Sequence, residues 1–123
     1  MEYCTPSGFK YDEQDMEDIV VTAFEGGIGY WACLDNTGVE WDAQDDDSAT
    51  SEWMWKLLKE GEEIRFLDEQ DNDEVYFLTL DKLLDGIDKT ISNTTWDGDM
   101  GNFDILVADA IFQYAMLGDI VYG

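Results

Sequence analysis

The segment Ile105–Leu117, ILVADAIFQYAML, is apolar on nearly every side when wound as a helix, and this constrains the fold more than any other stretch. A helix with no polar face cannot lie on a surface, so the rest of the chain must surround it. Asp104 just ahead of it suits an N-cap, and Gly118 just behind it suits a C-cap. Only Asp109 and Gln113 interrupt the apolar surface, at i and i+4 and therefore on one side. Two polar side chains on a central helix must reach solvent, pair with each other, or line a pocket.

The material to surround that helix is legible upstream. Met16, Ile19, Val20, Ala23 and Phe24 recur at helical spacing and predict a helix over residues 13–25, ended by Gly26 and Gly27 in left-handed conformation. A strand over 30–34, a turn at 35–38 and a return strand over 39–41 follow. Thr50 or Ser51 then caps a helix over 52–60, with Trp53, Met54, Leu57 and Leu58 inward. Ile64 and Phe66, then Val75 and Phe77, flank a polar turn at 71–73 and predict a hairpin. Thr79 caps a helix over 81–91, whose buried stripe is Leu80, Leu84, Ile87 and Ile91. Residues 1–12, with the single proline Pro6, are expected to form an irregular N-terminal arm. The chain of 123 residues is thus expected to be one α+β domain, antiparallel hairpins packed with about four helices. With 45% hydrophobic and 14% aromatic residues, it can build a core despite its charge.

That charge is extreme. Thirty acidic residues face six basic ones, for a formal net charge of −24. Solubility of a small domain asks for a magnitude of only about 2–8. The surplus destabilises the compact state through self-repulsion, which points to a function, with salt adaptation or simple solubility as the bland alternative. No apolar run approaches the length of a membrane span, and no secretory leader opens the sequence, so a soluble cytoplasmic protein is expected.

Several chemistries are disfavoured. The chain has no His, hence no imidazole base and no usual nitrogen ligand for zinc. Cys4 and Cys33 match no zinc spacing. The acidic stretch from Asp97 has Asp at positions 1 and 3 of a calcium loop but Gly at 5, Asn at 6 and Ala at 12, so it fails the EF-hand pattern. Gly26, Gly27 and Gly29 follow a helix, whereas a phosphate loop follows a strand. The expectation is a non-enzyme without metal or cofactor.

Two surfaces remain as candidate sites. One is acidic. Asp81, Asp85 and Asp88 fall on one helical stripe with offsets of roughly 5–6 Å along the axis, on the order of the phosphate spacing in nucleic acid. Asp45, Asp46 and Asp47, and Asp71 and Asp73 at the hairpin tip, add dense charge. Such a face can occupy a Lys/Arg channel and release counterions as nucleic acid does. The other candidate is the set Glu25, Tyr30, Trp31, Asp109 and Gln113, which would converge as a small polar pocket or a fixed internal network.

The residues Glu25, Gly26, Gly27, Tyr30 and Trp31 spell E-G-G-x-x-Y-W, and Gln113, Tyr114, Ala115, Gly118, Asp119, Ile120, Val121, Tyr122 and Gly123 spell Q-Y-A-x-x-G-D-I-V-Y-G. Both segments resemble those of a group of short proteins encoded by bacteriophages and mobile elements. The resemblance covers the two ends and leaves the middle unmatched. It implies an origin and no activity of its own. Small acidic phage proteins are in turn similar to anti-CRISPR and anti-restriction inhibitors that mimic DNA. The expected function is therefore an inhibitor whose partner is a basic nucleic-acid-binding protein, a CRISPR effector first and a restriction nuclease second. Direct contact with nucleic acid or membrane is not expected. The alternatives are a small-ligand or signalling-nucleotide binder using the aromatic and glycine cluster, or a non-inhibitory phage accessory protein. In the latter, the two aromatic ends would serve self-association into a homo-oligomer.

Overall fold

The computed structural model describes residues 2–34, 50–68 and 74–122. Its elements are β1 (Glu2–Cys4), β2 (Lys10–Asp12), α1 (Glu13–Thr22), a π-helical turn (Ala23–Gly27) and β3 (Ala32–Leu34). There follow α2 (Thr50–Lys59), β4 (Ile64–Asp68), β5 (Val75–Leu78), α3 (Leu80–Asn93), a 3-10 turn (Met100–Asn102) and α4 (Ile105–Leu117). The expected α+β fold, helices packed with antiparallel strands, is what the chain adopts.

The apolar helix α4 begins and ends as its flanking residues dictate. Asp104 accepts the Val107 N–H at 2.9 Å, and Gly118 closes the helix with a left-handed φ of 81°. Ala108, Ile111, Phe112 and Tyr114 are buried, so the helix is central. Helix α3 lies along it, capped by Thr79. The contact is closest at Gly86, where an added Cβ would sit 2.5 Å from the Ile111 carbonyl oxygen. Leu83, Gly86, Ile87, Asp88 and Thr90 are the buried positions of α3, while Leu80, Leu84 and Ile91 pack half-buried at its edge. The seam is thus rotated from the expected stripe because the backbones meet at the glycine.

The ending of α1 differs from expectation. Asp12 caps the helix and Asp15 returns the bond to the Asp12 N–H, a reciprocal capping box. The helix is then not stopped by a left-handed glycine. It widens: the Ile28 N–H reaches the Ala23 carbonyl at 2.9 Å, an i to i+5 bond, and Gly26 stays within the turn. Ile28 and Trp31 are both buried, so the chain keeps winding inward instead of leaving. A Cβ at Gly26 would meet the tip of the Ile105 side chain of α4 at 2.6 Å. A further turn, with the Ala32 N–H on the Ile28 carbonyl, delays β3 to Ala32 and leaves Tyr30 in the turn.

β3, β4 and β5 form one antiparallel sheet in that order. The return strand expected at 39–41 and the hairpin tip at 71–73 lie outside the described residues. The register pairs Ile64 with Leu78 and Phe66 with Tyr76, so Tyr76 and Leu78, and not Val75 and Phe77, stand opposite the buried β4 residues. Both parities of β5 are apolar, which hid the phase. α2 packs on α1 through buried Met54, Trp55 and Leu58.

The N-terminal arm is not irregular. β1 and β2 pair with Tyr3 opposite Tyr11, both buried, and Trp55 meets Tyr3 edge-on at 5.4 Å. Gly8, at φ 102°, turns the hairpin. Strands of three residues are too short to show an alternation in sequence.

Candidate functional site

The two polar residues of α4 are paired, and far more fully than with each other. The Trp31 indole N–H donates to Asp109 Oδ1 at 2.7 Å, and the Tyr30 hydroxyl donates to Asp109 Oδ2 at 2.5 Å. Gln113 Nε2 donates to Asp109 Oδ1 at 3.0 Å and to the Tyr122 carbonyl at 2.7 Å. Gln113 Oε1 accepts the backbone N–H groups of Val121 and Tyr122 at 2.8 and 2.9 Å. The glutamine therefore binds the tail as a strand partner would, and the Tyr122 ring stacks on Trp31 at 5.8 Å with planes 17° apart.

The network continues into the sheet. Asp68, only 1% exposed, accepts the hydroxyls of Tyr122 at 2.6 Å and Tyr76 at 2.7 Å. Burial of its hydroxyl end, then the Asp109 carboxylate, push the Tyr30 phenol up to about 12. Burial and Asp68 raise that of Tyr76 likewise. Sequence reasoning named Tyr30, Trp31, Asp109 and Gln113, and the structure brings these four together. Glu25 is exposed on the π-helical turn, outside the network among the described residues. Asp68, Tyr76 and Tyr122 were missed. Asp68 was findable: it shares the parity of Ile64 and Phe66, so it had to point inward.

The arrangement fixes structure. Its carboxylates are met by neutral donors of the chain itself, which leaves the cluster filled by its own groups. Of the two alternatives the sequence offered, pocket or internal network, it is the network.

The acidic stripe on α3 does not form as expected. Asp81 is exposed, and Asp85 is half-buried and paired with Lys89 at 3.0 Å. Asp88 is only 8% exposed, because the turn of the β1–β2 hairpin covers it and the Ser7 N–H donates to its Oδ2 at 2.7 Å. Burial by a distant segment carries no local signal. Asp45, Asp46, Asp47, Asp71 and Asp73 lie outside the described residues.

A different acidic feature is visible. Between the end of α3 and the start of α4 lies a cleft of about 400 Å³. Asp97, Asp104, Thr90 and Thr94 supply its polar side, and Leu106, Val107 and Ala110 its apolar side. The loop between is held by Trp96, which is buried and donates to the Asp99 carbonyl, and by the Tyr11 hydroxyl on the Gly98 carbonyl at 2.8 Å. The Asp99 backbone N–H and then the Asn102 amide hold the Asp97 carboxyl below its ordinary value. Asp97 and Asp104 are both exposed.

Cations do little to neutralise this surface. Lys59 pairs with Glu13 at 2.6 Å, Lys82 donates to the Phe77 carbonyl at 3.1 Å, and Arg65 lies over the Phe77 ring at 5.8 Å. Among the described residues no three carboxylates or thiols are grouped to hold a metal ion, and no helix is long and apolar enough to cross a membrane. Comparison with protein-family models, curated proteins and solved structures found no match.

Proposed function

We propose that the chain is a phage-type inhibitor that presents its acidic exterior, as a nucleic-acid mimic, to the basic groove of a host-defence nuclease. CRISPR effectors are the first class of target and restriction enzymes the second, and the site of action is the host cytoplasm. One observation carries the reading: thirty acidic residues that six basic ones, several of them engaged in contacts within the fold, leave largely uncompensated at a net charge of −24. A surface of that kind steers a basic partner over long range and gains by releasing the counterions of both. The exposed carboxylates near α1, Asp12, Glu13 and Asp18, and those around the cleft, Asp97, Asp99 and Asp104, support it. Asp81 remains a proposed contact. Asp88 is not such a contact, since the hairpin covers its carboxylate. The small-ligand alternative has no comparable support, because the aromatic cluster is filled by its own hydrogen bonds.

The test is DNA binding and cleavage by a panel of purified CRISPR effectors and restriction nucleases, with and without the protein, across a salt series. Competition with DNA that fades steeply as salt rises is the expected result. Absence of an effect on every enzyme at low salt overturns the reading.

A further inference from the structure

The cleft between α3 and α4 is unlike the rest of the acidic surface, because it combines charge with an apolar wall. Its polar atoms are mostly acceptors. The Thr90 hydroxyl spends its proton on the Gly86 carbonyl at 2.8 Å, and the Thr94 hydroxyl spends its own on the Thr90 carbonyl at 2.6 Å. The Asn102 amide donates to Asp97. Thr90 is fully buried, so what is left for a visitor is chiefly the lone pairs of Thr94 and Asp97. The last turn of α3 contains no basic residue, so the negative end of its dipole also opens here unneutralised. The positive end of α4 is already met by Asp104 Oδ1 on the Val107 N–H, leaving Asp104 Oδ2 available.

The wall is as informative as the charges. Leu106 is 73% exposed, the most exposed large apolar side chain among the described residues, and Ile105 beside it is exposed too. Val107 and Ala110 continue the apolar side inward. An exposed leucine next to two carboxylates, at the mouth of a cleft, is the layout of an interface anchor with a polar rim.

We infer that this cleft is a docking site for a lysine or arginine side chain of a basic partner protein. The aliphatic stem lies on Leu106, Val107 and Ala110, and the cationic head is held by Asp97 and Asp104, with the exposed Thr94 oxygen beside them. Charge complementarity selects this occupant. A second copy of the chain would bring a further −24, and an anionic ligand would meet two carboxylates and no cation in the lining. An amphipathic cation uses both sides of the cleft, as Lys and Arg do wherever a stem is buried and a head is paired. The inference rests on the proposed function for its partner class, and it names where on the acidic surface that partner is gripped.

The experiment is a titration of the 15N-labelled protein with N-acetyl-arginine-N-methylamide at fixed ionic strength, against guanidinium chloride as the headgroup alone. Saturable shifts concentrated in residues 94–97 and 104–110 are expected, with guanidinium binding more weakly. The variant Asp97→Asn with Asp104→Asn keeps the cap and loop acceptors while removing both charges, and should weaken binding about five- to tenfold. Leu106→Ala touches no core contact and should weaken the arginine derivative but not guanidinium. Asp18→Asn on α1 should change neither. Shifts spread equally over α1 and the cleft, or equal binding by the double variant, would overturn the inference, and the wild-type shift map decides even if that variant folds poorly. Localised arginine binding without inhibition of any nuclease would leave the cleft standing and remove the proposed function. Inhibition with diffuse shifts would do the reverse.

Discussion

Trp31 and Asp109, 78 residues apart in sequence, are joined by a 2.7 Å hydrogen bond from the indole N–H to a carboxylate that is itself only 9% exposed. The bond ties the winding after α1 to the central helix. Around it, Tyr30 and Gln113 complete the satisfaction of Asp109, and Tyr122 lies across the indole. Removing the acceptor leaves the fully buried Trp31 indole N–H without the acceptor shown for it, and takes one hydrogen bond each from Tyr30 and Gln113. Asp109→Ala should therefore destabilise the protein by about 1–3 kcal/mol, the cost of one buried polar group left unpaired. Asp109→Asn, which keeps one carbonyl acceptor, should lose distinctly less. Urea denaturation measures both, and equal losses would show that the network adds little beyond packing.

Two tyrosines, one in this network and one in the β1–β2 hairpin, set an alkaline limit. Tyr30 and Tyr11 are both pushed from 10.0 up to about 12, Tyr11 by burial and then by the nearby Asp88. A tyrosine whose folded value is raised is favoured in its neutral form by folding. Its contribution is fully present below the unfolded value near 10 and is lost as pH climbs through about 12. Stability should hold up to pH 10 and fall between 10 and 12. Tyrosinate absorbance should rise in that window together with loss of near-ultraviolet circular dichroism. Titration of every tyrosine near 10 with the fold intact would contradict it.

Gly86 sits where α3 and α4 touch. Replacing Gly by Ala in a helix interior gains about 1 kcal/mol of propensity. Here the new methyl would stand 2.5 Å from the Ile111 backbone oxygen, and backbone cannot swing aside as a side-chain tip can. Overpacking of that kind costs about 1–3 kcal/mol. Gly86→Ala should thus be net destabilising, seen as a lower melting temperature. A stabilised variant would mean the two helices can separate without loss.

What the sequence made legible follows a physical division. Local chemistry was readable: Asp104, Thr79 and Gly118 are where a capping residue would have to be, because a cap acts on its own turn. The convergence on Asp109 was readable too, since a polar pair on an apolar helix must find partners. Features set by distant cover were not. Asp88 has the helical spacing of a surface acid and is buried only because a hairpin from residues 2–12 folds over it. Gly26 has the sequence of a cap, but burial of Ile28 and Trp31 keeps the chain winding past it. Tyr122 joins the network because Gln113 holds the tail, a contact with no local pattern in sequence.

The placement of Asp88 makes charge reversal on α3 diagnostic. Asp81→Lys changes an exposed residue in the first turn, and the helix should fold with a loss of about 1 kcal/mol or less. Asp88→Lys would bury an ammonium where the Ser7 N–H now finds its acceptor. A buried uncompensated charge costs about 3–5 kcal/mol, enough to unfold much of a marginal domain. Far-ultraviolet circular dichroism and melting should separate the two variants. Equal stability would place Asp88 in solvent.

The charge itself is open to a direct physical test. A surface at −24 repels itself over the screening length, about 30 Å at 10 mM salt, which spans a domain of this size. At 500 mM that length falls below about 8 Å, shorter than most separations between exposed carboxylates. The melting temperature should therefore rise steadily over this range. One kilocalorie of relief corresponds to about 4–8 °C for a domain of this class. Sodium chloride and choline chloride should act alike if screening is the cause, because neither the size nor the coordination of the cation matters to it. A rise with sodium alone would point to site binding. No rise with either salt would mean that the carboxylates are spread widely enough not to strain the fold, and the argument that the acidity must be offset by function would lose its physical basis.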